Sequence, residues 1–181
     1  MKRNVMVLGT IAASLLLSST LQAEQSQQIE MHEVSADGVG EPIGTVQVED
    51  SEHGLLLTPS LSDLPAGGHG FHVHENPSCE PGENDSGEMT PALSAGGHYD
   101  PDEAGSHEGP YGDGHLGDLP LLTVNDNGEA VTPVLAPRLS VDDLDGRSLM
   151  VHAGGDNYSD DPDALGGGGS RIACGVIDLS S

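Results

Sequence analysis

Beyond residue 23, no stretch of this 181-residue chain repeats apolar side chains at i, i+3, i+4 and i+7 over a useful length. That excludes a helical core. Short apolar runs divided by Gly, Pro and Asp take its place. Ile43 to Val48 alternates, Leu55 to Leu57 and Leu121 to Val124 are compact, and Ala130 to Leu135, Leu149 to Ala153 and Ile172 to Leu179 follow. Many short strands with turns between them predict an all-β sandwich or barrel. The Asn125-Asp126-Asn127-Gly128 sequence is predicted to be a hairpin turn. Two segments break the rhythm: Cys79 to Asp118 is rich in Gly, Pro and acids and almost bare of apolar residues, and Asp156 to Ser170 ends in Gly166-Gly167-Gly168-Gly169-Ser170. Loops of that length inside one compact domain need a function or a tether.

Residues 1–23 are expected to be a signal peptide, with residues 24–181 as the single folded domain. Lys2 and Arg3 lead an apolar stretch from Val5 to Leu17, and a cleavage point after Ala23 precedes polar sequence. The stretch is short for a membrane span. Removing it leaves three arginines and no lysine against thirty acids, a net charge of −27. Such a surface argues against nucleic acid or an anionic membrane as partner. Export to the periplasm or beyond also pairs the two cysteines: Cys79 and Cys174 are expected to form a disulfide.

The chemistry lies in the histidines. His72 and His74 sit in Gly70-Phe71-His72-Val73-His74-Glu75; on a strand, residues two apart share a face, so both imidazoles point one way and Phe71 and Val73 point to the core. His98, His107, His115 and Asp118 fall inside the loop that lacks apolar residues, and His152 lies on a later apolar run. Three imidazoles and a carboxylate suit tetrahedral zinc, whose binding would order a segment that hydrophobic burial cannot. Imidazole sets without thiolate suit copper as well. His32, His53 and His69 are expected to be solvent-exposed or locally hydrogen-bonded.

In order along the chain, GFHVHE (70–75), GGHYDP (96–101), the 107–118 segment ending in HLGD, MVHAGGDN (150–157) and GGGGSRIACGVI (166–177) resemble copper–zinc superoxide dismutases, in particular the exported bacterial branch. The resemblance spans roughly Gly44 to Ile177. It implies a Greek-key β-barrel, or flattened sandwich, of about eight antiparallel strands with long metal-binding loops. It also implies copper on His72, His74, His98 and His152, and zinc on His98, His107, His115 and Asp118. His98 would bridge the two, Asp156 would bond His72 and His107 from behind, and Cys79–Cys174 would tether a loop beside the site. The matching arginine, Arg171, would receive the anionic substrate, and a planar, permanently charged fork suits that task. Arg138 and Arg147 have no such match and are expected to be structural or solvated.

The implied reaction is disproportionation of superoxide to dioxygen and hydrogen peroxide by a redox-cycling copper, with one copper and one zinc per subunit and His98 carrying a proton. A homodimer is possible. The rival reading of a different class is a periplasmic copper or zinc binding or delivery module without turnover, which would have no need of Arg171. A zinc hydrolase is disfavoured because no separate general base accompanies the cluster.

Overall fold

The computed structural model describes residues 26–179; the expected signal peptide lies outside the described residues. Eleven strands follow in chain order: β1 (Gln27–Ser35), β2 (Gly38–Ser51), β3 (Gly54–Leu61), β4 (Gly67–His69), β5 (Phe71–His74), β6 (Gly82–Glu83), β7 (Met89–Thr90), β8 (Leu122–Val124), β9 (Val134–Ala136), β10 (Arg147–His152) and β11 (Arg171–Ile177). Three short 3₁₀ turns, Leu93–Ala95, Val141–Leu144 and Ala164–Gly167, are the helical elements among the described residues. Seven strands form one antiparallel sheet in the order β5-β10-β11-β1-β2-β3-β9, and β4 pairs with β8. Gly70 alone separates β4 from β5, so these two act as one interrupted strand, and β6–β7 is a small hairpin inside the long loop. Eight long strands remain, and they curl around one core.

Alternation selects that core. Along β3, Leu55, Leu57, Pro59 and Leu61 are buried while Leu56, Thr58 and Ser60 are partly or fully exposed, and Ile43, Val46 and Val48 of β2 join the leucines. β5 and β10 differ: every residue of Phe71–His74 is buried, as is every residue of β10 after Arg147. Phe71, Val73, Leu149 and Val151 face the main core, while Met150 joins Val34, Ala92, Ala95 and the two cysteines in a second apolar cluster. These strands are therefore covered on both faces, inside by the barrel and outside by loops.

The long loop is bonded to the barrel through its backbone. Val73 donates to Gly117 O (2.9 Å), Tyr99 to Val73 O (2.8 Å) and Gly117 to Tyr99 O (2.8 Å), so two loop segments lie along β5 and satisfy its edge. A Cβ at Gly117 would collide with Val73 O, so this approach requires glycine.

Two expectations need correction. β1 had no place among the anticipated runs, because register shifts on either side of His32 break its alternation: Ile29, Met31 and then Val34 face inward. The 125–128 turn does close tightly, with Gly128 donating to Asn125 O at 3.0 Å, but it is not a hairpin. β8 leaves it to pair with β4 and β9 to pair with β3, so the turn carries the chain between two parts of the barrel.

Cys79 and Cys174 form a disulfide, with Cα atoms 5.7 Å apart and 95 residues between them in sequence. Both are buried. The bond ties the loop to β11. Replacing both cysteines with alanine is expected to lower the free energy of unfolding by about 2–5 kcal/mol, measured by urea titration under oxidising conditions; an unchanged midpoint would show that the second apolar cluster holds the loop unaided.

Candidate metal centre

β5 and β10 are neighbours, with His72 opposite Met150 and His74 opposite Ser148. The register brings the outward-facing His72 and His74 beside His152 at the end of β10. The loop segment at His98 forms a bridge to His74, and Asp118 forms one to His72. His72, His74, His98 and His152 each place one ligand atom within 4.8 Å of the others. A second group, His72, His98, His107 and Asp118, meets the same limit. His115 lies just outside it, its Nδ1 at 3.5 Å from Asp118 Oδ1.

Four of the rings are fixed through the nitrogen that faces away from the cluster. His72 Nε2 donates to Asp156 Oδ2 (2.8 Å) and His107 Nε2 to Asp156 Oδ1 (2.7 Å). His74 Nδ1 donates to Gly96 O (3.0 Å) and His152 Nδ1 to Gly169 O (3.1 Å). Such partners set ring orientation and tautomer. The opposite nitrogens are bare. His72 Nδ1, His98 Nε2, His107 Nδ1 and His115 Nδ1 are buried without a hydrogen-bond partner.

His74 Nε2 and His152 Nε2 lie 3.4 Å apart, yet both rings already spend their proton on a carbonyl, so two lone pairs face each other. Asp118 Oδ2 sits 2.9 Å from His107 Nδ1 without the alignment of a hydrogen bond. Converging lone pairs, with the His72, His74, His107 and His152 rings locked from behind, are what a cation needs from its ligands. Imidazoles with one carboxylate and no thiolate fit zinc or copper. His72 cannot serve both groups, since its Nε2 is committed to Asp156. His115, with its bare Nδ1 beside Asp118, is the better fourth member of the second group.

The two groups differ in charge. Burial, reinforced by the neighbouring His98, drives His72 down to about 3, and burial drives His152 down to about 4. His74 and His98 are also lowered, chiefly by burial. These rings stay neutral, the state in which imidazole binds a metal. Burial opposes a charge on His107 too, but the Asp118 and Asp156 carboxylates prevail and raise it to about 9. Asp118 and Asp156 are pulled below the usual carboxylate range, against their own burial, mainly by His107.

The rear of the site explains the glycine run. Gly166 has φ +71°, and a Cβ there would meet Asp156 Oδ1 and lie 2.8 Å from His107 Nε2. At Gly168 a Cβ would press on the His152 ring at 3.2 Å. Arg171 stands opposite His152 in the β10–β11 register, donating to Ala92 O (2.5 Å) and Gly96 O (2.6 Å). Its charge also reaches the His74 and His152 rings.

His53 is exposed and His32 is half-buried, each beside a glutamate, as expected. His69 has the expected local partner, its Nε2 2.8 Å from Pro65 O, but it is also buried, and its Nδ1 lies 2.8 Å from His152 O, a contact between distant parts of the chain. Asp160 also went unremarked; its carboxylate accepts the His107 and Leu165 N–H groups (2.8 and 2.9 Å). A single acid in an acidic run carries no local signal of that role.

The proton balance yields a prediction for the metal-free protein. Unfolded, all the histidines titrate near 6.5. As pH falls below that, the unfolded chain takes up protons that the lowered His72, His74, His98 and His152 refuse, so stability falls toward pH 4. His107 acts oppositely, and its contribution is lost as pH rises from 6.5 through 9. Thermal unfolding of the chelator-treated protein is expected to show a maximum near neutrality; equal midpoints at pH 5 and pH 7 would contradict it.

A family profile described as copper/zinc superoxide dismutase (SODC) matches residues 42–177. The chain is 53% identical over 169 residues to "Superoxide dismutase [Cu-Zn] 2" of Salmonella typhimurium, covering 93% of this chain and 97% of that one. Its fold is similar to that of the Cu/Zn superoxide dismutase from Brucella abortus, with a TM-score of 0.83 and 52% identity over 85% of this chain and all of that one. It is also similar to the monomeric copper, zinc superoxide dismutase from Salmonella enterica, with a TM-score of 0.77 and 55% identity over the same shares. With its histidines converging as described, this chain belongs to the copper/zinc superoxide dismutase family.

Proposed function

We propose that the protein disproportionates superoxide to dioxygen and hydrogen peroxide, with His72, His74, His98 and His152 as copper ligands and His98, His107, His115 and Asp118 as zinc ligands. The observation that carries this reading is the set of four buried, unpartnered ring nitrogens on His72, His98, His107 and His115. When bound, copper would supply one-electron exchange in both directions, and zinc would supply a fixed positive charge.

The side chains do the rest. Two superoxide anions and two protons give one dioxygen and one hydrogen peroxide, so the site must handle protons as well as electrons. His98 Nδ1 is engaged with Asp118 Oδ1 at 2.9 Å, which leaves Nε2 as the atom that holds a proton and passes it to the departing product. Asp156 and the carbonyls of Gly96 and Gly169 keep the other rings from rotating. Arg171 supplies the one positive side chain beside His152 and attracts the anion at short range. At long range the protein's net charge of −25 opposes approach.

The signal peptide over residues 1–23, the domain over residues 24–181 and a periplasmic or secreted location belong to the same proposal; the disulfide supports an oxidising compartment. A homodimer is a further part of it, although the solved Salmonella enterica relative is described as monomeric.

Stopped-flow decay of superoxide is expected to be catalytic in the copper–zinc protein and absent in a copper-free, zinc-loaded sample. Its rate is expected to rise with ionic strength as the acidic surface is screened. A protein holding both metals without turnover would instead be a binding or delivery module. Arg171→Ala is expected to lower the rate about tenfold, which corresponds to roughly 1.4 kcal/mol, while leaving both metals bound; an unchanged rate would remove Arg171 from the substrate's path.

A further inference from the structure

The segment joining His107 to His115 has almost nothing with which to build a core. Between these histidines run Glu108-Gly109-Pro110-Tyr111-Gly112-Asp113-Gly114, and the one large apolar side chain, Tyr111, is 75% exposed. Gly109, Pro110, Gly114 and His115 are nevertheless buried. Their carbonyl oxygens share one partner. Arg138 donates from Nε to Pro110 O (3.3 Å), from Nη1 to Gly114 O (2.9 Å) and from Nη2 to both Gly109 O (3.4 Å) and His115 O (2.5 Å). The exposed residues of the segment, Glu108, Tyr111 and Asp113, receive none of these four bonds. The loop is wrapped around a guanidinium.

We propose that Arg138 is the positioning residue of the zinc-side loop: by filling the centre of the 109–115 turn it holds the backbone of His115 where its ring meets Asp118, before any metal arrives. This rests on the assignment of His115 and Asp118 as zinc ligands made above. Arg138 is well mounted for the task. It follows β9, which is hydrogen-bonded to β3 within the barrel, and the next residue, Leu139, is buried in the core. Barrel packing thus fixes one end of the side chain and four loop carbonyls fix the other. Without the guanidinium, Gly109 O, Pro110 O and Gly114 O would be acceptors of a buried stretch with no partner, and His115 O would keep only the Asp118 N–H at 3.4 Å. The planar fork presents five N–H groups in fixed directions, whereas a lysine ammonium offers three from one point and cannot span the same four oxygens. The role needs no contact with the metal or the substrate.

The test measures zinc binding rather than turnover. Metal-free wild type, Arg138→Met, Arg138→Lys and His115→Ala are titrated with one equivalent of zinc against a competing chelator, and thermal unfolding is recorded with and without zinc. Both Arg138 variants are expected to bind zinc about 10–100-fold more weakly, the usual consequence of losing an outer partner of a metal site. Zinc is also expected to raise their unfolding midpoints less than it raises that of wild type. Affinities within twofold of wild type would overturn the proposal, as would midpoints lowered equally with and without zinc, since that is the mark of a general stabiliser. Arg138→Lys keeps the charge and decides the matter if Arg138→Met does not fold. His115→Ala separates the two failures: unchanged zinc affinity in that variant overturns the ligand assignment itself, whereas weakened binding there with normal binding in the Arg138 variants overturns only the role of Arg138.

Discussion

A carboxylate buried between two imidazole N–H groups is the junction on which the site depends. Asp156 gives one oxygen to His72, on a barrel strand, and the other to His107, in a loop that the barrel alone could not order. The Tyr158 N–H at 2.8 Å adds a third donor, and together these keep the carboxylate ionised despite its burial. If Asp156 were lost, two buried N–H groups would lack an acceptor and both rings could turn, pointing their bare nitrogens away from the common centre. The open space at Gly166 permits the arrangement, because any side chain there would displace the carboxylate.

Much of this was legible in the sequence, for reasons that can be named. A strand's period of two places His72 and His74 on one face whatever the details of packing. A loop with histidines and few apolar residues announces that something other than hydrophobic burial orders it. The ordered motifs of the resemblance then imply the remaining ligands proposed here. Other features had no local signature. The bulges around His32 hid β1, and the 125–128 turn has hairpin chemistry but sits between strands that pair elsewhere. His69 is a histidine among histidines until the fold brings Pro65 O and His152 O to its two nitrogens. Arg138 looked like any surface arginine because its partners are main-chain atoms, and a carbonyl leaves no trace in a sequence.

The arginines share that habit. Arg147 donates to Glu75 O at 2.9 Å and stacks over Tyr99, Arg171 takes Ala92 O and Gly96 O, and Arg138 takes four carbonyls. The acids serve the opposite polarity. Asp100 accepts the Ala104 and Gly105 N–H groups, Glu108 accepts that of Asp113, and Asp160 those of His107 and Leu165. Loops without apolar side chains are thus ordered by ionised ones, guanidinium for C=O and carboxylate for N–H. An isolated surface ion pair contributes little, whereas a charged group bonded to several backbone atoms forms stronger hydrogen bonds and fixes several residues at once.

The strand order also has a consequence in time. β5, which carries His72 and His74, lies at the sheet edge beside β10, and β10 is held on its other side by β11, near the C-terminal end of the chain. During synthesis the first five histidines of the proposed centre and Asp118 leave the ribosome well before His152, Asp156 and Arg171, and β11 follows last. Until those final residues arrive, β5 lacks its β10 neighbour, and His72 and His107 lack the Asp156 carboxylate behind them. The four-histidine group of His72, His74, His98 and His152 therefore forms only once β10 has closed onto β5.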